Sequence, residues 1–395
     1  LNTLNTCLRL KLPVKINCVL IDEFNTDEIY DFITLSKYNN VDLRFVELSP
    51  YGKNKDFYKD HYANVEELVE NLDIVNKDDY EIESNTKYYN IKNLKGNIMK
   101  FAHLADTHLG YRQFGLLERE KDFYEVFDKI IDKIIEEKVD FVIHSGDLFD
   151  SARPSPSALL AFQKGLLKLK GAGIPMYAIA GNHDVVNRNG AIPPQVLFKK
   201  FGLKLISTIN TNYMHDDVFI AGLPFLPASQ NKNLKSKLDE LSKKAENHEK
   251  SILVLHQGID KYFNLQYELE IGDIPDNFDY YALGHIHNYI CDDFGKGKLV
   301  YPGSTETWNV SELIDLKKNG KGFVVVDLDG PKMNVKRIKM DIPREFIVKT
   351  IDYRNLGAEI DSIKNTIKDF DKQPILNLKI NNIDSNIGEI YEFIN

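Results

Sequence analysis

Five short, almost wholly apolar runs recur along the middle of this chain, and each leads into a residue that can hold a metal or move a proton. Phe101-Ala102-His103-Leu104-Ala105 enters Asp106-Thr107-His108, and Phe141-Val142-Ile143 precedes Gly146-Asp147. Met176-Tyr177-Ala178-Ile179-Ala180 enters Gly181-Asn182-His183-Asp184. Ile252-Leu253-Val254-Leu255 enters His256-Gln257-Gly258, and Tyr280-Tyr281-Ala282-Leu283 enters Gly284-His285-Ile286-His287. Runs of this length and composition suit strands buried on both faces. Between them lie helical patterns: Phe123, Phe127, Ile130, Ile131 and Ile134 share one face, and a second helix is predicted over 157–169. Further strands are predicted at 218–221, 299–301 and 322–327. The alternation predicts a layered α/β sandwich. In open α/β sheets, sites form outside the carboxyl ends of the strands, so the five motifs are expected to meet there. The glycines beside them let the chain turn sharply enough to aim the ligands inward.

On either side the pattern changes. Near the start, 14–21 and 41–48 read as strands, with a helix capped by Asn25 or Thr26 through Leu35 between them. Asn64 and Glu67 form a capping pair for a helix through Leu72. Lys77-Asp78-Asp79 and Ser84-Asn85-Thr86 read as loop before Tyr88-Tyr89-Asn90-Ile91. The stretches Leu12-Pro13-Val14-Lys15-Ile16-Asn17 and Asp42-Leu43-Arg44-Phe45-Val46-Glu47-Leu48-Ser49-Pro50-Tyr51-Gly52 resemble part of the MoaA-type radical-SAM molybdenum-cofactor enzymes, over residues 1–95. That family's CxxxCxxC motif is missing, so the resemblance implies a fragment without an iron–sulfur cluster. An accessory α/β segment is the other reading. Asn97-Ile98-Met99-Lys100 looks like an internal protein start, and Leu1-Asn2-Thr3-Leu4 like a cut edge. Beyond Asp341, strands at 346–348 and 375–378 flank a helix over 358–370, a small α+β domain that reads as truncated at Asn395. Three parts are therefore expected: 1–98, a partial α/β segment; 99–340, the sandwich; and 341–395, a capping, DNA-binding domain.

Bulk properties narrow the function. No apolar run reaches roughly eighteen residues, so no membrane span is expected. The three cysteines, Cys7, Cys18 and Cys291, are scattered, which disfavours disulfide frameworks, zinc fingers and iron–sulfur sites. A reducing, cytoplasmic setting fits. The net charge of −9 speaks against a broad basic footprint for nucleic acid. A metal pair can instead carry the positive charge where a phosphate sits.

The motif residues offer oxygen and imidazole ligands without a thiolate. Such a set suits manganese, iron or zinc, and the share of oxygen leans to manganese. One His-x-His is a weak signal; five motifs in this order at strand ends are a strong one. Together they resemble the calcineurin-like metallophosphoesterases over residues 100–305. Carried over position by position, the resemblance implies that Asp106, His108 and His287 hold a first metal. It implies Asn182, His256 and His285 for a second, with Asp147 bridging. His183 would act on the scissile phosphate or protonate the leaving oxygen. His103 and His144 read as core residues or supports of the ligands, and Asp184 as a residue that orients its loop.

A finer resemblance narrows the substrate. Asp106-Thr107-His108-Leu109-Gly110-Tyr111, Glu118-Arg119 with Asp122-Phe123, His144-Ser145-Gly146-Asp147-Leu148-Phe149-Asp150 and Tyr301-Pro302-Gly303-Ser304-Thr305-Glu306 resemble the Mre-eleven/SbcD double-strand-break repair nucleases. The resemblance implies two Mn2+ per chain, 3′–5′ exonuclease action on duplex ends and endonuclease action on single strands. It also implies a nucleoid-associated homodimer with an ABC-type ATPase partner, whose C-terminal binding helices are not found in this chain. Arg153-Pro154-Ser155-Pro156 and the helix carrying Leu159, Leu160, Phe162, Leu166 and Leu167 match the dimer-forming region; packing within their own domain is the alternative for those leucines. One position departs from the family. Asp150 stands where a histidine is usual, which puts full exonuclease activity in doubt. It either raises the pKa of His183 by charge proximity or caps the following helix. Other readings are another phosphodiesterase or phosphatase of the superfamily, and a non-catalytic DNA-end scaffold.

Overall fold

The structure, a computed structural model, describes residues 14–26, 29, 41–48, 55–70, 75–83, 86–91, 99–185, 192–263, 267–328 and 333–383. The chain divides into two compact units, Leu1–Ile98 and Met99–Asn395.

In the first unit, strands β1 (Val14–Leu20) and β2 (Val41–Glu47) pair in parallel, Val14 opposite Val41. A parallel pair needs a crossover; the helix predicted through Leu35 lies mostly outside the described residues. The helix Val65–Glu70 begins at Asn64, whose Oδ1 accepts the Glu67 amide N–H at 3.1 Å. Strands β3 (Val75–Glu83) and β4 (Thr86–Ile91) then form an antiparallel hairpin. The expectation of loop at Lys77-Asp78-Asp79 is corrected here, because those residues lie within β3. The ladder shifts register between Val75 and Tyr80, so the polar run falls in an irregular stretch of the strand.

The second unit is built on two six-stranded sheets. One orders its strands β16 (Asn334–Met340), β15 (Lys321–Asp327), β5 (Lys100–Leu104), β6 (Phe141–His144), β7 (Met176–Ala178) and β8 (Lys204–Leu205). The other orders β13 (Ile290–Phe294), β14 (Gly297–Tyr301), β12 (Tyr280–Gly284), β11 (Lys250–His256), β10 (Val218–Gly222) and β9 (Asn212–His215). The interior strands β5–β6–β7 and β10–β11–β12 run parallel. Side chains alternate across each strand, and the alternation sorts the apolar residues into separate layers. Phe101, Phe141, Ile143 and Tyr177 of one sheet share a core with Ile220, Ile252, Val254, Tyr280 and Ala282 of the other. Their neighbours Ala102, Val142, Met176 and Ala178 face helices α1 (Leu117–Glu136) and α2 (Pro156–Gly171). Leu253, Leu255, Tyr281 and Leu283 face helix α3 (Asn231–Ala245) through Leu234, Leu238 and Leu241. The order helix, sheet, sheet, helix is therefore dictated by strands that are apolar on both faces. With each fully buried Val, Leu, Ile or Phe contributing roughly 1.5–3 kcal/mol, the central layer outweighs the few polar residues it encloses.

Strands β8, β9, β13 and β16 were not apparent in the sequence. All four lie at sheet edges or bury one face only, as in the mixed burial of Asn334–Met340. Near the end of the chain, β17 (Phe346–Asp352) and β18 (Ile375–Asn381) pair in parallel around a helix at Leu356–Thr366, with Ile351, Leu356 and Ile360 beneath.

One buried charge cluster ties α1 to both the site-bearing loops and this small unit. Arg119, fully buried, donates to Gln113 Oε1 (2.8 Å), Asp122 Oδ2 (2.8 Å), Glu306 Oε1 (3.2 Å) and the Thr307 carbonyl (3.2 Å). Its guanidinium also lies 5.2 Å from the Phe346 ring. Asp122 in turn accepts from Arg344 Nε (2.9 Å) and Lys372 Nζ (3.2 Å). Removing one partner from a buried charge network strands the others, which is worse than losing the pair. Replacement Arg119→Met is expected to cost about 3–5 kcal/mol in denaturant unfolding, because among the described residues Arg119 is the only cation paired with Glu306. A loss below about 1 kcal/mol would show that Glu306 relaxes at little cost.

Candidate metal centre

The five motifs follow strands from both sheets. Asp106 and His108 follow β5, Asp147 follows β6, and Asn182 and His183 follow β7; His256 ends β11, and His285 and His287 follow β12. The first two loops are laced together, with the Asp106 amide donating to the Gly146 carbonyl (3.0 Å) and the His108 amide to that of Asp147 (3.1 Å). Asp106, His108, Asp147 and His285 all hold left-handed backbone, with φ of 52°, 41°, 52° and 90°. Non-glycine residues adopt this region at a cost, and such residues cluster where function demands a set side-chain direction. Two glycines are required by space. A Cβ on Gly181 would lie 2.1 Å from Asp147 Oδ1, and one on Gly146, at φ +97°, would lie 2.3 Å from His256 Nδ1.

Three groups of possible ligand atoms result, each within 4.8 Å of one another: Asp106, His108 and His287; His108, Asp147 and His183; and Asp147, His256 and His285. Asp147 is shared between the second and third. His287 Nε2 lies 3.1 Å from His108 Nε2 and 3.8 Å from Asp106 Oδ1. Asn182 Oδ1 lies between His256 Nε2 (3.0 Å) and His285 Nδ1 (2.9 Å). Asp147 Oδ2 is 3.2 Å from His256 Nε2 and 3.8 Å from His108 Nε2. His256 Nδ1 donates to the Ser145 carbonyl at 2.7 Å, which leaves Nε2 for the centre. Carboxylate oxygens of Asp106 and Asp147 and imidazole nitrogens of His108, His183, His256, His285 and His287 thus gather in one region, a donor set that fits divalent cations.

Opposing fields act on these groups. Burial would raise the Asp147 pKa, but His256, then His108 and His183, hold its carboxyl well below the usual carboxylate range. Burial would lower that of His256, yet Asp147 and Asp106 push it up to about 9. His285 falls to about 3 through burial and the neighbouring His256 charge. Burial also raises Asp106 above its usual value.

His183 lies beside the centre, with its side chain 30% exposed. Its amide donates to Asp147 Oδ1 (2.8 Å) and its Nδ1 to the Asp150 carbonyl (3.0 Å). The Asp150 carboxylate is 3.5 Å from His108 Nδ1 and 3.8 Å from His183 Nδ1. The cap of α2 is Ser155, which accepts the Ala158 amide at 3.2 Å; Asp150 does not fill that place. His103 and His144 lie in the interior, bonded to Tyr280 and Ser145, and to Thr107. Burial drives the His144 pKa down to about 3 and that of His103 well below normal, so both are neutral. Asp184 accepts amides from Gly181, Leu148 and Phe149 at 2.9–3.2 Å and joins the Asp147 and Asn182 loops.

Sequence reasoning missed two residues here. Trp308 stacks on Tyr111 at 5.2 Å and meets His108, His183 and His287 at 5.4–6.0 Å, its indole N–H facing Asp150 Oδ1 at 3.4 Å. Glu312 accepts from His287 Nδ1 at 2.8 Å. Being the sole tryptophan of the chain, next to the Pro-Gly-Ser-Thr-Glu stretch, was the only signal Trp308 offered; Glu312 offered none.

The model of the calcineurin-like phosphoesterase family matches residues 99–289. The DNA double-strand break repair protein Mre11 of Methanocaldococcus jannaschii is 42% identical over 269 residues, covering 67% of this chain and 73% of that protein. The protein of the same name from Methanococcus maripaludis is 40% identical over 291 residues, covering 70% and 77%. That from Sulfurisphaera tokodaii is 36% identical over 284 residues, covering 71% and 72%. On the strength of these matches across the strands and loops that build the centre, the chain belongs to the family of the DNA double-strand break repair protein Mre11, with a calcineurin-like phosphoesterase domain.

Proposed function

We propose that this chain is a DNA nuclease of double-strand-break repair, cutting phosphodiester bonds at a centre of two divalent cations, with Mn2+ the native pair. The observation that carries the reading is that Asp147 belongs to two groups of possible ligand atoms, one with His108 and His183 of its own sheet and the other with His256 and His285 of the second sheet. On this reading Asp106, His108 and His287 hold one ion and Asn182, His256 and His285 the other, with Asp147 common to both. Bound there, the pair supplies Lewis acidity to a phosphodiester and a nucleophile at neutral pH. The chain's own part is to orient and to move a proton. Asp150 accepts the Nδ1 proton of His183 through its carbonyl, which leaves Nε2 to serve a substrate oxygen. Water is kept from the rear of the site by His103, His144 and the apolar layer between the sheets.

Finer parts of the reading rest on narrower support. A homodimer through 153–156 and α2 is supported by Leu160 and Leu167, 63% and 46% exposed, while Phe162, Leu166 and Leu169 point into the core. Residues 341–395 fit a DNA-facing cap, supported by the β17–β18 pair anchored on Asp122. DNA ends and an ABC-type ATPase are the partners that the family relationship suggests, and exonuclease action on duplex with endonuclease action on single strands is the matching activity. Among the described residues no helix is long and apolar enough to cross a membrane; a cytoplasmic, nucleoid-associated setting goes with the repair role. The MoaA-type reading of residues 1–95 has the parallel β1–β2 pair in its favour and no support from the comparisons. A phosphatase reading is favoured by one observation: Asp150, at the position where the superfamily's protein phosphatases carry an aspartate paired with the histidine, lies 3.8 Å from His183.

With Mn2+, the chain is expected to degrade linear duplex DNA faster than it cleaves an aryl phosphomonoester; the reverse order would favour the phosphatase. In the same assay at saturating Mn2+, His183→Gln should keep both ions and lower turnover by roughly 10²–10⁴-fold, the usual contribution of a placed acid or base. Unchanged cutting by that variant would remove His183 from the chemistry. Asp147→Ala should deplete both ions in metal analysis, and loss of one equivalent alone would end its bridging role. A further expectation concerns protons. The His256 pKa is raised to about 9, so in the metal-free protein the stabilisation from its charged form is present below about 6.5 and lost as pH climbs through 9. At pH 7 that proton must leave when a metal binds. Calorimetric Mn2+ titrations in buffers of different ionisation heat should therefore show proton release, and a buffer-independent heat would contradict the charge state of His256.

A further inference from the structure

His287 is the candidate ligand whose far side is most heavily built. Its Nδ1 faces Glu312 Oε1 at 2.8 Å, while Nε2 faces His108 and Asp106. The Glu312 carboxylate is almost wholly buried and meets the ring at Nδ1, the nitrogen turned from His108 and Asp106. Behind it sits Lys321, its side chain 1% exposed, whose Nζ donates to Glu312 Oε2, to Ser304 Oγ (2.7 Å) and to the His287 carbonyl (3.2 Å). Glu312 also accepts from the Ser304 hydroxyl (3.0 Å) and from the amides of Trp308 (3.3 Å) and Asn309 (3.1 Å). A single carboxylate thus holds the imidazole and the turn that carries Trp308 beside the site.

Packing alone would not call for this arrangement. Burying a carboxylate and an ammonium together costs more than filling the same volume with apolar side chains, unless the charges serve another purpose. The purpose available here is orientation, because an imidazole can ligate through either nitrogen, and the hydrogen bond at one nitrogen decides which is left. We propose that Glu312 is the positioning residue of the first metal site: it keeps the proton of His287 on Nδ1 and so turns Nε2 to the metal, with Lys321 as the buried counter-charge that holds the carboxylate in place. The proposal rests on the metal reading above and adds to it which residue sets the ligating nitrogen.

The test uses the full chain and Mn2+ alone. Glu312→Gln leaves Lys321 buried without its anion, so Glu312→Gln combined with Lys321→Met is measured beside it. In the double variant, one of the two Mn2+ equivalents should weaken by about 10–100-fold, the usual effect of losing a ligand's outer partner. The other equivalent should bind as in the parent, and the melting temperature of the metal-free protein should stay within a few degrees. A merely structural role would weaken both equivalents together in step with a lower melting temperature, and that result would overturn the proposal, as would two sites at parental affinity. A second measurement needs no change at Glu312. In Zn2+-loaded parent protein labelled with 15N-histidine, the His287 signals, identified by their loss in His287→Gln, should show a protonated Nδ1 and a coordinated Nε2. Coordination through Nδ1 would overturn the assignment even if neither variant folds. A parent chain that takes up no Mn2+ or Zn2+ would refute the metal reading itself, whereas two bound ions with Nδ1 coordination would refute only the role of Glu312.

Discussion

Asp147 carries one carboxylate into the space between two sets of imidazoles, and both sheets are shaped around that placement. It comes from the end of β6 in one sheet and meets His256, from the end of β11 in the other, at 3.2 Å. Three features force it there. Its backbone is left-handed, Gly181 offers no Cβ to obstruct it, and Asp184 draws the two loops together through three amides. Residues in left-handed backbone cost on the order of 1–3 kcal/mol each. Four candidate ligand positions share that conformation, so the close-packed layers beneath them must over-determine it. The strain is tolerated because the alternating apolar residues of β5, β6, β11 and β12 fix the strand ends rigidly.

Environment divides the histidines of the second unit into distinct roles. His103 and His144 are neutral because burial among apolar strands lowers both, and at His144 the pull of Asp147 offsets only part of that loss of water. His256 is equally buried, yet the nearby carboxylates of Asp147 and Asp106 reverse the sign of its shift. His287 is raised as well, because Glu312 outweighs its burial. An acidic chain, with a net charge of −9, can thus still gather imidazolium charge locally at His256 and His287.

Legibility in the sequence followed burial. Strands covered on both faces announce themselves as apolar runs, and β5, β6, β7, β11 and β12 were all visible with their motifs attached. Edge strands such as β13 (Ile290–Phe294), with Asp292 and Asp293 side by side, and β16 (Asn334–Met340), with Asn334, Lys336 and Lys339 exposed, form no continuous apolar run and were missed. The hairpin of β3 and β4 was obscured by the polar residues of its irregular stretch. Arg119 was noted only as part of a motif; its burial among Gln113, Asp122 and Glu306 depends on partners up to 187 residues away. Asp150 was recognised as a departure, but its contact with both His108 and His183 could not be distinguished from a helix cap until Ser155 was seen to fill that place.

By itself the sequence determined the layered α/β class, the strand ends at which chemistry is carried, and the residue types gathered there. These are local properties: apolar periodicity sets a strand, and a ligand just after it is placed at the strand's carboxyl end whatever the neighbouring elements do. Which ends meet was decided only in three dimensions. Stacking the sheets brings Asp106, His108, Asp147 and Asn182 from one against His256, His285 and His287 from the other, with Asp106 meeting His287 although 181 positions (287 − 106) separate them in the chain. The supports behind them were decided there too, because Glu312, Lys321 and Trp308 owe their roles to a turn that folds back under His287. No local pattern encodes such a contact, since a buried carboxylate is placed by the groups it must satisfy and not by its neighbours in sequence.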